Sequence, residues 1–278
     1  MHWIVQNDIH SEYGYNHFLT SLERMGVDHT VVKIVPFCDK ILPLSFDGLT
    51  QDIEDVEEPT IPTDKPIVVF GTIRLGNIAM QRGWAPGIWK NDSFDYRVWS
   101  KQIPADKLLN PNGIVGTMQD ISVPYLAENQ TVFVRPVLDD KAFSGTVMSR
   151  YDFDEWRVAN LLPETDTTPL HRNTVIVVTP YQKIYTEYRM FVVDGKVVTG
   201  SRYKQGKDVL YNDILSPGVL DFSDEITSYL DMARAYVLDI AETSDGYKVI
   251  EINTINSAGF YAADVQKLID AIENMNYE

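Results

Sequence analysis

Two stretches place charge where strands should be apolar. "TEYRMFVVDGKVVTGSRY", Thr186 to Tyr203, has β-rich arms around Asp194-Gly195. A two-residue Asp-Gly loop favours a type I′ turn. That register pairs Val193 with Lys196, Phe191 with Val198, Arg189 with Gly200 and Glu187 with Arg202. Directly opposed residues share a face, so Glu187, Arg189 and Arg202 should converge, with Lys204 just beyond. A solvated salt-bridge ladder would gather the same charges and contribute only about 0–1 kcal/mol per exposed pair. Phe191 and Val198 continue this face as apolar surface, which tilts the reading slightly towards a site that handles anions.

The second stretch is "VLDIAETSDGYKVIEIN". Glu251 and Asn253 are two apart, so both point to one side of a strand. A three-residue Ser244-Asp245-Gly246 loop would pair Thr243 with Tyr247 and set Asp239 opposite Glu251. A two-residue Asp-Gly loop would turn Asp239 to the other face. In the first register two carboxylates and an amide oxygen meet, and like charges beside Val249, Ile250 and Ile252 need a cation between them. Oxygen ligands suit Mg²⁺, which commonly takes one or two carboxylates plus substrate phosphates. Asp239 could equally cap a strand end, and the set could be an acidic surface face.

These hairpins need elements to hold them. The chain opens with a strand at Trp3 to Gln6, a helix over about Tyr15 to Met25 and a strand at Thr30 to Val35, with Gly26 as helix stop. "QDIEDVEEPTIPTDKP" reads as a solvated connection, "PIVVFGTI" as a buried strand and "IRLGNIAMQRGW" as a short helix. The turn Pro111-Asn112-Gly113 marks the border of a first unit. "TVFVRPVL" and "NTVIVVTP" are strands and "DFDEWRVA" begins a helix. Helical spacing is expected over Asp224 to Val237, and "AADVQKLIDAIENM" is an amphipathic final helix. The first part is α/β in rhythm, and the second is α+β with antiparallel hairpins.

The totals set limits. The chain has 278 residues, 44% hydrophobic, with a formal charge of −16. So acidic a chain is disfavoured as a general nucleic-acid or anionic-membrane binder. One cysteine, Cys38, excludes an intrachain disulfide and a cysteine-based zinc site. The start resembles a strand and not a signal peptide, and no apolar run approaches the roughly 20 residues of a membrane helix. A cytoplasmic protein is expected. The five histidines lack metal spacing and no G-x-S-x-G occurs. The glycines of "GTIRLGNIAMQRGW" make only a weak nucleotide loop, though Arg74 could line a cleft.

In their order, the motifs resemble the ATP-grasp superfamily over roughly 129–261. "VFVRP" is similar to the strand carrying a cation to the α-phosphate side of ATP. "KAFSG" resembles the phosphate-covering loop with Lys141, although it holds only Gly145 where such loops have several glycines. "VIVVTP" resembles the adenine hinge. "EYRMFVVDGKVV" is similar to a strand of the glutamate-adding ligases, and "VLDIA", "VIEIN" and "SAGFY" to the metal-binding set and its following glycine. Arg135 stands where most members have lysine, as in a divergent bacterial and phage branch.

The resemblance implies an N-terminal α/β domain (1–110) followed by an α+β ATP-grasp fold (111–278), two subdomains whose antiparallel sheets hold ATP between them, with a hinge near 177–181. Adenine would lie near Val177, Val178, Thr179 and Pro180. Arg135 and Lys141 would hold phosphates, and Asp239, Glu251 and Asn253 one or two Mg²⁺. Arg189 and Arg202 would be catalytic, stabilising an acyl-phosphate. Glu187 and Lys204 would serve the nucleotide, Glu187 by binding ribose or by orienting Arg202. The implied activity is an ATP- and Mg²⁺-dependent ligase joining a small-molecule or peptide carboxylate to an amine, or to a thiol. A phosphotransferase and a non-catalytic nucleotide-binding protein are the alternatives, and an oligomer is possible.

Overall fold

The computed structural model describes residues 1–7, 9, 14–36, 38–138, 142–165 and 170–277. Lys141 lies outside the described residues.

The N-terminal layer follows from short apolar strands spaced by helices. Strands β1 (His2–Gln6), β2 (His29–Lys33), β3 (Leu42–Pro43), β4 (Ile67–Phe70) and β5 (Pro86–Gly87) form one sheet in the order β3-β2-β1-β4-β5. All neighbours are parallel except β2 and β3. Helices α1 (Tyr15–Arg24) and α2 (Ile73–Gln81) flank it. Alternation divides β1 between two cores: Trp3 and Val5 face one, Ile4 the other.

After the four-residue helix α3 (Tyr96–Trp99), the chain builds two antiparallel sheets. The smaller contains β6 (Ile114–Thr117), β7 (Thr131–Pro136), β8 (Thr146–Ser149) and β9 (Val175–Pro180), in the order β6-β9-β7-β8. It is backed by α4 (Arg150–Ala159), which Ser149 caps through the Asp152 N–H. The larger contains β10 (Thr186–Val193), β11 (Lys196–Gln205), β12 (Asp208–Asn212), β13 (Ala235–Thr243) and β14 (Gly246–Thr254), in the order β12-β11-β10-β13-β14.

The helix expected over Asp224 to Val237 is displaced. Ser216 and Pro217 start α5 at Pro217–Thr227, and Ala235-Tyr236-Val237 open β13 instead. Serine at the cap and proline at the first helical position outweigh the helical spacing downstream. The last helix, α6 (Val265–Glu273), buries Val265, Leu268, Ile269 and Ile272.

One core runs from the N-terminal layer into the larger sheet. Trp3, Phe18 and Phe70 pack with Phe191, Val237, Phe260 and Ile269. The Trp3 indole N–H donates to Glu273 at 2.6 Å, tying β1 to α6. Asn256 adds a polar seam: its Nδ2 donates to the Val69 carbonyl at 2.7 Å and its Oδ1 accepts from the Trp89 N–H at 2.9 Å.

Candidate functional site

The first hairpin turns as its sequence requires. Val193 pairs with Lys196, and Asp194 (φ 48°) and Gly195 (φ 72°) both take the left-handed conformation of a type I′ turn. Further out the expected register fails. Bulges at Val198 and Tyr203 set Arg189 opposite Ser201, Glu187 opposite Lys204 and Arg202 opposite Tyr188. Each bulge inserts one residue, and a one-residue slip moves the rest of the strand to the opposite face. Glu187 and Arg189 therefore share a face, whereas Arg202 joins Tyr188 on the other and does not line the cleft. Tyr203 takes the place expected of Arg202: its hydroxyl donates to Glu187 at 2.8 Å, and Lys204 Nζ donates to the same carboxylate at 2.6 Å.

The second hairpin reaches the expected pairing by another route. Its loop has two residues, Ser244 and Asp245, with Thr243 opposite Gly246, and not the three residues that the sequence suggests. A bulge at Ile250 then restores the face, and Asp239 does oppose Glu251. Asn253 lies two residues on, and its Nδ2 donates to Glu251 Oε1 at 2.8 Å.

These residues face a cavity of about 570 Å³ between the two antiparallel sheets. Arg135 and Phe133 of β7 line one side with Gly145, and Glu187, Arg189, Tyr203, Lys204, Glu251 and Asn253 line the other. Thr254, Ser257 and Ala258 close the end nearest the N-terminal layer. Val177, Val178, Thr179 and Pro180 do not line it: β9 is central, paired to both β6 and β7, and its valines are buried in the cores on either side. The chain just beyond, at Tyr181, Gln182 and Ile184, reaches the cavity instead.

The electrostatics are paired. Arg189 grips Asp239 with two hydrogen bonds, Nε to Oδ1 at 2.9 Å and Nη2 to Oδ2 at 2.8 Å, and the side chains are only 11% and 1% exposed. Bidentate geometry is the strong form of such a contact. Burial pushes the Asp239 carboxyl up, against the pull of the Arg189 guanidinium, and the neighbouring Glu251 carboxyl acts in the same direction as burial. Burial also raises the Tyr203 phenol, helped by Asp239 and Glu187. The Arg189 guanidinium is walled by the rings of Tyr261 (4.9 Å) and Tyr203 (5.6 Å), which stack on each other at 4.8 Å. Tyr261 adopts φ 52°, a strained conformation for a side chain of its size.

Across the cleft Arg135 Nη1 lies 3.3 Å from Glu251 Oε2. Each acidic candidate thus has an arginine beside it. Among the described residues no three His, Cys, Asp or Glu side chains cluster as a metal site. The oxygen set here is two carboxylates with the Asn253 amide, a hard-donor combination that fits Mg²⁺ completed by water and phosphate.

Sequence reasoning missed Tyr203, Tyr261, Tyr96, Trp99 and the 181–184 segment. Tyr96 and Trp99 carry a readable signal, aromatics at i and i+3. Tyr203 carries none, because its place depends on the bulge.

Two antiparallel sheets closing on a cavity lined by opposed arginines and carboxylates define a nucleotide-cleft architecture. A family model described as an ATP-grasp domain, the third family of its clade, matches residues 89–272, and the chain belongs to this family. No curated protein matches it in sequence. Among solved structures it is similar to D-cycloserine synthetase DcsG, at 12% identity with a TM-score of 0.63, covering 98% of each chain. The D-alanine–D-alanine ligase from Bacillus anthracis is 14% identical with a TM-score of 0.57, over 98% of this chain and 92% of that one. The ATP-grasp ligase PsnB with its minimal precursor is 13% identical with a TM-score of 0.55, covering 99% of both. The ATP-grasp fold is therefore shown. Among the described residues no helix is long and apolar enough to cross a membrane.

Proposed function

We propose that this chain is an ATP- and Mg²⁺-dependent ligase that activates a carboxylate as an acyl-phosphate and passes it to an amine. One observation carries the reading. Two arginines and the Asp239/Glu251/Asn253 oxygen set face each other across one cleft, each arginine beside one carboxylate. Such a site is neutralised by its own side chains and can exchange them for a ligand of matching charge: phosphate oxygens for the arginines, a divalent cation for the carboxylates. Bound Mg²⁺ would neutralise phosphate charge and polarise the transferred phosphoryl group.

The chain's own groups then have separate tasks. Arg135 holds phosphate oxygens. Arg189 stabilises charge developing on the acyl-phosphate, and Tyr203 and Tyr261 fix its plane. Glu187 and Lys204, bonded to each other, serve the nucleotide near the 181–184 segment. Arg202 has no part in this scheme. The ligase names of the structural neighbours support the reaction class, and the precursor bound to PsnB supports a peptide as one substrate class.

The test is ATP titration with and without Mg²⁺ on the wild type and Glu251→Ala. Mg²⁺-dependent binding that vanishes in the variant is expected, and unchanged binding refutes the metal assignment. Turnover with candidate carboxylates and hydroxylamine should then trap a hydroxamate. ADP release without hydroxamate would make the protein a phosphotransferase.

A further inference from the structure

We infer that Tyr96 and Trp99 are positioning residues for Arg135: an aromatic cradle that keeps its guanidinium aimed into the cleft whichever partner Glu251 takes. The inference rests on the ATP-site reading of that cleft.

The Arg135 Cζ lies 5.0 Å from the Tyr96 ring centre and 5.5 Å from that of Trp99. The rings meet edge to face at 5.3 Å and 87°, so the guanidinium sits against two nearly perpendicular aromatic walls. A planar cation in such a corner is held in position and in plane. Both rings are buried, Trp99 to 1% exposure, and Arg135 is 12% exposed. Desolvation strengthens each cation–π contact, and one buried contact can account for about a tenfold change in an equilibrium.

The cradle is itself braced. Asp95 caps α3 through the Arg97 N–H at 2.7 Å. The Tyr96 N–H donates to the carbonyl of Val137, two residues beyond Arg135 in the chain, at 3.1 Å. The Tyr96 hydroxyl donates to the Asn110 carbonyl at 2.9 Å. By comparison, the 3.3 Å contact of Arg135 with Glu251 is longer than the bidentate grip of Arg189 on Asp239. When Glu251 turns to a cation, the rings still hold Arg135 towards the incoming phosphate. An ammonium has no flat face to lie in this corner and is more strongly hydrated, so lysine would keep the charge and lose the aim.

The test measures the Mg²⁺-ATP dissociation constant for Arg135→Lys, Tyr96→Leu, Tyr96→Phe and the Tyr96→Leu/Arg135→Lys double variant. Arg135→Lys should weaken binding about tenfold although charge is retained. Tyr96→Leu should weaken it similarly, Tyr96→Phe should stay near wild type, and the double variant should bind no worse than Arg135→Lys. Wild-type affinity in Arg135→Lys overturns the inference. So do multiplicative losses in the double variant, or a Tyr96→Leu protein that melts lower while binding ATP unchanged. If Tyr96→Leu does not fold, Arg135→Lys still decides. A wild type that binds no ATP refutes the ATP-site reading itself, and the inference with it.

Discussion

Arg189→Met isolates the most buried charge in the cleft. It removes the guanidinium and leaves the Asp239 carboxylate, 1% exposed, without its bidentate partner. Methionine keeps much of the apolar stem against Tyr203 and Tyr261. Breaking a buried pair from one side costs about 3–5 kcal/mol, because a desolvated charge remains. With a urea m-value on the order of 3 kcal/mol/M for a chain of this size, the midpoint should fall by about 1 M or more. Tryptophan fluorescence can follow it, since Trp3 and Trp89 sit in the core that contains Phe191 and Val237.

Two internal controls sharpen this. Arg189→Met/Asp239→Leu, which replaces the pair by apolar groups, should recover most of the loss. The deficit of the single variant should also depend on pH. Burial already pushes the Asp239 carboxyl up, and removing Arg189 takes away the charge that opposes this. The folded variant therefore binds a proton more readily than its unfolded chain, so its stability falls as pH rises and the gap to wild type narrows in acid. A midpoint shift corresponding to less than about 1 kcal/mol, or a deficit independent of pH, would refute the assignment of this pair as a desolvated one.

Asn256→Leu should destabilise by about 2–4 kcal/mol, since it leaves the Val69 carbonyl and the Trp89 N–H unpaired inside the seam; thermal melting measures it, and a change below about 0.5 kcal/mol would show the seam to be passive. Asp28 is held down to about 2 by the Lys65 ammonium and the His2 ring. Its contribution is thus complete above the ordinary 3.8 and lost as pH falls towards 2. Because Asp28 is half exposed, Asp28→Asn should cost less than about 1 kcal/mol at neutral pH and nothing at the acid end, as read from paired melts across that range.

Much of the cleft was readable from local pattern alone. The two-residue period places Glu251 and Asn253, like Glu187 and Arg189, on shared faces whatever their neighbours do. The Asp194-Gly195 turn needs left-handed residues and has them. The five motifs in their order led to the ATP-grasp fold, which the family match and the solved structures show.

What the sequence did not determine was register beyond the turns and contact across the cleft. A bulge arises where packing on both faces favours one extra residue, and nothing local to Val198, Tyr203 or Ile250 announces it. The bulge at Tyr203 exchanged Arg202 for a tyrosine in the cleft, while that at Ile250 restored the Asp239–Glu251 pair that a shorter loop would have broken. Likewise β9 reads as an apolar strand, but its central place between β6 and β7 buries Val177 and Val178 away from the cavity. The composition of each strand selects its residue types and their alternation. Only the assembled sheets decide which of those faces meet, because strand pairing and core packing act between segments that are distant in sequence.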